Sequence, residues 1–163
     1  MSSALANQFS GAKVLVTGHT GFKGSWLCQW LLSLGSSIVG VSVDIPTKPS
    51  HFDLLSISKE IKDIRIDIND LSALKEVLIK EKPDFIFHLA AQPIVKKAFN
   101  NPIDTWRTNT FGTINILESL RELDNFIVAI FITSDKCYDN VEWCWGYKES
   151  GKLGGADPYS ASK

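Results

Sequence analysis

An open α/β sheet, parallel and doubly wound, is what this sequence predicts, on three observations. Short apolar runs rich in β-branched residues alternate with stretches of helical periodicity, the pattern of repeated strand–helix–strand units. The first run, Val14-Leu-Val, leads into Gly18, Gly21 and Gly24, and a helical pattern opens behind them. The runs carry few polar residues, so these strands are buried on both faces, as parallel strands are.

Each element follows in turn. Residues 1–12 read as a loose leader, with Phe9 a possible anchor, before a domain over 13–163. After the first strand the three glycines suit a diphosphate cradle. Gly18 permits the tight turn, Gly21 lets backbone approach phosphate, and Gly24 lets helix and strand pack closely. Thr20 and Phe22 lie within the same turn, and the helix behind it offers unpaired N–H groups and a partial positive charge. This is the Rossmann-type arrangement. Trp26, Leu27, Trp30, Leu31 and Leu34 carry the helix to Gly35, and Ile38–Val43 forms the second strand. Asp44 ends it, about twenty residues past the last glycine, where a carboxylate accepts hydrogen bonds from adenosine ribose and favours NAD over its 2′-phosphorylated form.

Pro46–Ser50 is a loop and residues 52–57 hold a short helix. Residues 64–67 form the third strand, with Asp67 and Ile68 at the end that lines the ligand crevice, Asp67 positioned for an adenine amino group. Asp70 caps a helix over 70–80. Residues 84–89 make the fourth strand, running into Ala90 and Ala91; Leu89, Ala90 and Ala91 leave room for a cofactor. His88 reads as a packed core histidine rather than a base or ligand. Asn101, as N-cap, and Pro102 open the longest helix, whose apolar arc from Ile103 to Leu120 is wider than one sheet face needs. Residues 126–132 form a fifth, strongly buried strand that delivers Ser134, Asp135 and Lys136. A loop rich in Trp and Gly follows, then Tyr159 and Lys163, four apart on one helical face. A phenol ionises near pH ~10, and an ammonium one turn away favours the phenolate, so the pair suits proton removal from a sugar hydroxyl during hydride transfer.

Composition bounds the rest. The 163 residues, 44% hydrophobic and 21% charged, suit one globular domain. A formal net charge of −1 gives no basic field for nucleic acid or an anionic membrane, and no apolar run reaches the length of a membrane span. Cys28, Cys137 and Cys144 form no Cys-x-x-Cys pair, which argues against a disulfide framework or a metal site and for the cytoplasm.

Thr17–Gly24, His88–Gln92, Thr133–Lys136 and Tyr159–Lys163 together resemble the extended short-chain dehydrogenase/reductase family, over nearly all of residues 9–163. Gly-His-Thr-Gly-Phe-Lys-Gly-Ser-Trp, Thr-Ser-Asp-Lys-Cys-Tyr-Asp-Asn and Glu-Trp-Cys-Trp-Gly-Tyr are similar to the nucleotide-sugar 4,6-dehydratases acting on CDP-glucose. The resemblance implies an NAD-dependent, redox-neutral lyase, in which Tyr159, supported by Lys163 and Ser134, deprotonates the C4 hydroxyl. Water then leaves across C5 and C6, with Asp135 as the acid, and the hydride returns to C6. Related enzymes carry Glu at the position of Lys136, so two roles are open for Lys136: C5 base, or partner of phosphate or Asp135. Family members are about twice this long and self-associate through the long helix. The resemblance therefore implies an N-terminal piece, truncated after the fifth strand, with that strand left as an exposed edge, Lys163 frayed and turnover lacking in isolation, and a homo-oligomer. The alternatives are an epimerase or reductase of the same superfamily, which Asp135 counts against, and a non-catalytic NAD-binding module.

Overall fold

The computed structural model describes residues 3–163. Its centre is a five-stranded parallel sheet in the order β3-β2-β1-β4-β5, made of β1 (Lys13–Thr17), β2 (Ser37–Ser42), β3 (Lys62–Arg65), β4 (Phe85–His88) and β5 (Val128–Phe131). Side chains alternate across β1 and so feed two cores. Val14 and Val16 pack with Cys28, Leu31, Ile38 and Phe52 on one face. Leu15 packs with Val39, Leu74, Leu78, Ile86 and Ile116 on the other. Helix α2 (Phe22–Ser33) and the short α3 (His51–Leu54) thus cover one face, and α4 (Leu71–Glu81) and the long helix cover the opposite one. The doubly wound sheet is the architecture the alternation predicts.

Several elements differ from the sequence reading. The leader is a helix, α1 (Ser3–Phe9), because Phe9 packs its ring 4.9 Å from that of Phe85 and its carbonyl accepts from Ser36 Oγ at 2.8 Å. A further helix, α5 (Val95–Asn100), precedes the long one. The long helix itself runs as α6 (Pro102–Trp106), a π turn over Arg107–Phe111, and α7 (Gly112–Leu120). Asp70 caps α4 by accepting from Ala73 N at 3.0 Å, whereas Asn101 makes no side-chain cap; its carbonyl is taken by the Thr105 amide and hydroxyl. β5 is a half-covered edge, as the truncated reading expects, and not the strongly buried strand its hydropathy alone suggests: among the described residues it pairs with β4 alone, and Phe126, Val128 and Ile132 are exposed. A short helix, α8 (Pro158–Ala161), carries Tyr159.

Candidate functional site

The strands are all parallel, so their C-terminal ends lie on one side, where the glycine turn follows β1, Asp44 follows β2, Leu89–Ala91 follow β4 and Ser134–Lys136 follow β5. The glycine turn is held from both flanks. Gly18 N donates to Val41 O at 2.8 Å and Gly21 N to Gly18 O at 3.1 Å. A Cβ on Gly18 would stand 2.8 Å from Ala90 N, and one on Gly24 would overlap the Gly18 carbonyl. Gly21 is the N-cap of α2 and has no side chain to occupy the first-turn amides. The free N–H groups at the start of a twelve-residue helix therefore remain open above a turn whose glycines, Gly18, Gly21 and Gly24, carry no Cβ. That fits a dinucleotide's diphosphate. Lys23, exposed at the second position of α2, adds positive charge. Its field reaches Lys163, whose ammonium pKa is lowered first by burial and then by Lys23.

The flanking residues divide into exposed and committed. Thr20 is buried, and its hydroxyl contacts Ser42 Oγ at 2.7 Å and donates to the Asp44 carbonyl at 2.6 Å, so it staples the turn to the end of β2. Phe22 is exposed at the head of α2. Asp44 is anchored through that carbonyl while its side chain stays exposed at the strand end, as a ribose acceptor requires. Asp67 is exposed, but its Oδ1 accepts from Asn69 N and Nδ2, both at 2.9 Å, in a local turn. Ile68 is sealed in the core beneath Gly112, where a Cβ would strike its side chain, and its carbonyl accepts from Asn115 Nδ2. Its side chain is thus packing for α7 and not part of an open surface. Leu89, Ala90 and Ala91 are half-buried beside Gly18.

A cleft of about 230 Å³ opens beyond them, lined by His88, Ala90, Asn109, Thr110, Thr133 and Lys163 among others. Its walls are tied by a polar network the sequence reading did not single out. Asn109, turned inward within the π turn, accepts from Gln92 N at 2.8 Å and donates to Ser162 Oγ at 2.9 Å. Thr110 Oγ1 donates to the Ser162 carbonyl at 3.1 Å. The long helix thereby fixes α8 and the segment after β4 to each other. The available signal was polar Asn109 and Thr113 inside an otherwise apolar helical arc; π turns also favour functional sites.

Of the catalytic candidates, Lys163 lines this cleft; Ser134, Asp135 and Lys136 follow Thr133 of its wall and bond among themselves, apart from Tyr159 and Lys163. Asp157 caps α8, accepting from Tyr159 N at 2.9 Å and Ser160 N at 3.0 Å. Lys163 lies past the end of α8. Its Nζ is half-buried and placed 3.5 Å from the Ile132 carbonyl, where the sequence reading expects a frayed residue. Ser134 Oγ accepts from Lys136 N and donates to Asp135 Oδ1, both at 3.2 Å. Asp135 is exposed and ion-paired with Lys136 at 3.3 Å; Lys136 and then Ser134 hold its carboxyl below the usual carboxylate range. Among the described residues, the Tyr159 hydroxyl bonds neither Ser134 nor Lys163.

Comparisons with known proteins bear on the family and the fold. A family described as GDP-mannose 4,6 dehydratase matches residues 15–163. The chain is 45% identical to CDP-glucose 4,6-dehydratase from Salmonella typhimurium, over 96% of this chain and 44% of that one. Its fold matches the epimerase Mth375 from Methanothermobacter thermautotrophicus (TM-score 0.82, 25% identity, 98% of this chain and 46% of that one). It also matches UDP-glucose 4-epimerase from Brucella ovis in complex with NAD (TM-score 0.76, 26% identity, 93% and 44%). The chain thus spans less than half the length of these relatives. By motif, fold and identity, it belongs to the GDP-mannose 4,6-dehydratase family, within the extended short-chain dehydrogenases/reductases.

Proposed function

We propose that this chain forms the cofactor-binding half of an NAD-dependent nucleotide-sugar 4,6-dehydratase that converts CDP-glucose to CDP-4-keto-6-deoxyglucose. The observation that carries the reading is the uncapped start of α2 above the turn formed by Gly18, Gly21 and Gly24, at the strand ends that also deliver Ser134, Asp135 and Lys136 and that Lys163 approaches at Ile132. Gly18, Gly21, Phe22 and Gly24 hold the diphosphate through backbone, Thr20 fixes the turn, and Asp44 accepts from the adenosine ribose. Asp67 and the Ile68 backbone border the adenine side, and Leu89, Ala90 and Ala91 the nicotinamide side. NAD⁺, when bound, supplies a hydride acceptor that later returns the hydride.

The chain's own groups then act on the sugar. Tyr159 takes the proton from the C4 hydroxyl, with the Lys163 ammonium favouring the phenolate and Ser134 hydrogen-bonding the same oxygen. The 4-ketone acidifies the C5 hydrogen, and Asp135 gives a proton to the departing C6 hydroxyl. In the open site Asp135 is held ionised by Lys136. Its acid role therefore needs substrate to draw Lys136 away or to cover the pair, since desolvation raises a carboxyl pKa. Lys136 has two open roles: as a neutral amine it accepts the C5 proton lost in this elimination, or as an ammonium it pairs with phosphate or Asp135 while another base accepts that proton. The product is a precursor for deoxysugars of surface polysaccharide, and three free cysteines suit a reducing cytoplasm. The exposed stripe Ile103, Trp106, Ile114 and Leu117 supports self-association through the long helix.

Calorimetric titration with NAD⁺ and NADP⁺ tests the cofactor reading; saturable binding of NAD⁺, weaker for NADP⁺, is expected, and its absence in folded protein overturns the reading. Adding the separately expressed remainder of the Salmonella relative and assaying CDP-glucose for C6 deoxygenation tests the reaction. An epimerised product would favour the epimerase reading, and nucleotide binding without turnover the non-catalytic one.

A further inference from the structure

His88 belongs to no step above, yet it is 4% exposed and hydrogen-bonded at both ring nitrogens. The donors around it allow only one arrangement of protons. Thr113 Oγ1 donates to the Asn109 carbonyl at 2.7 Å, so it faces the His88 Nε2, 3.1 Å away, as an acceptor. Nε2 therefore carries the hydrogen. On the other side, Thr17 Oγ1 accepts from both Leu89 N and Ala90 N at 3.1 Å. Its own hydrogen must go to the neutral His88 Nδ1, 2.7 Å away.

We infer that His88 is a positioning residue: as its Nε2–H tautomer it orients the Thr17 hydroxyl so that its lone pairs clamp the Leu89 and Ala90 amides against the glycine turn. The clamp matters because Ala90 passes Gly18 at the limit of contact, so a small shift of residues 89–91 opens or closes the cradle. The relay runs from the π turn through Thr113 and His88 to β1. It thus couples the helix that holds α8 to the turn that holds diphosphate. Burial, and then the positive charge of Lys163, push the His88 pKa down to about 4, which keeps the ring neutral, as the relay requires. The link to ligand binding rests on the dinucleotide reading; the clamp itself does not.

The test uses the whole 163-residue chain with ¹⁵N-labelled imidazoles, His88 being assigned from the signals lost in His88→Gln. A protonated Nε2 and a bare Nδ1, unchanged from pH 5.5 to 8, are expected; the opposite tautomer, or titration near the usual histidine range, would overturn the inference. Thr17→Val should speed Ala90 amide exchange about tenfold relative to Val16 and weaken NAD⁺ binding by a similar factor, with Thr17→Ser restoring both. Unchanged Ala90 exchange in Thr17→Val, or faster exchange with unchanged NAD⁺ affinity, would refute the positioning role. If wild-type protein binds no NAD⁺, the cofactor reading fails, while the tautomer and exchange results still decide whether the clamp exists. Should Thr17→Val not fold, the tautomer measurement on wild type decides.

Discussion

Gly18 and Ala90 touch through backbone alone: at φ +70°, Gly18 lies where an added Cβ would stand 2.8 Å from the Ala90 nitrogen. The strands on either side leave neither segment free to retreat, since β1 and β4 are paired throughout. Gly18→Ala therefore meets left-handed strain and overlap together, and should cost about 2–4 kcal/mol in urea unfolding. Gly146→Ala, with nothing within 4 Å of the new methyl, should stay within about 0.5 kcal/mol. NAD⁺ affinity should fall only in the first variant.

The buried imidazole makes stability depend on pH. His88 titrates at about 4 in the folded chain against 6.5 for the free side chain. Above 6.5 both states are neutral there and its contribution is whole. As the pH falls, the unfolded chain takes up the proton first, so stability drops between about 6.5 and about 4 and levels off below. The loss attributable to this group is about 3 kcal/mol. His19 is depressed in the same direction by burial, opposed by Asp63, and steepens the same limb. Urea unfolding at a series of pH values should show this limb, and it should be shallower in His88→Gln.

Asp157 caps the short helix that carries Tyr159. Its carboxylate takes the Tyr159 and Ser160 amides and the Ser160 hydroxyl, which also hold its pKa below the usual range. Asp157→Ala should cost about 1 kcal/mol and release Tyr159, while Asp157→Asn, an equally good cap, should be close to neutral. Amide exchange at Tyr159 and Ser160 reads the difference directly. Because the carboxyl pKa is depressed, the cap should persist below the normal carboxylate range and be lost only as pH falls through the folded value.

What could be read from the sequence follows from which interactions are local. The turn at Gly18, the cap at Asp70 and the strand cores at Val14–Val16 announce themselves within a few residues, and each lies where its pattern places it. Ile68 did not: its position next to Asp67 suggests a crevice wall, and only the distant Gly112 shows that its side chain is packing. β5 reads as a core strand by hydropathy alone; its exposed edge was legible only from the resemblance to longer chains, because burial depends on what lies beside a strand. The relay through Thr17, His88 and Thr113 joins residues of three separate elements, so no window of sequence holds it.

Thiol labelling gives an independent measure of the same turn. Cys144 is exposed and Cys137 half-buried, whereas Cys28 is wholly buried on the inner face of α2, one turn beyond Gly24, and burial pushes its thiol up to about 12. A disulfide reagent should modify Cys144 first and Cys137 next, because a reactive thiolate needs access and ionisation. Cys28 should react only through opening of the core, with a rate that rises with urea as global unfolding does. Anything that binds the folded turn then protects it by mass action: at a ligand concentration 100 times its Kd, opening is suppressed about 100-fold. Saturating NAD⁺ should therefore slow Cys28 labelling by about that factor while leaving Cys144 unchanged. Equal slowing at both thiols would mean that the nucleotide quenches the reagent and not that it binds the turn.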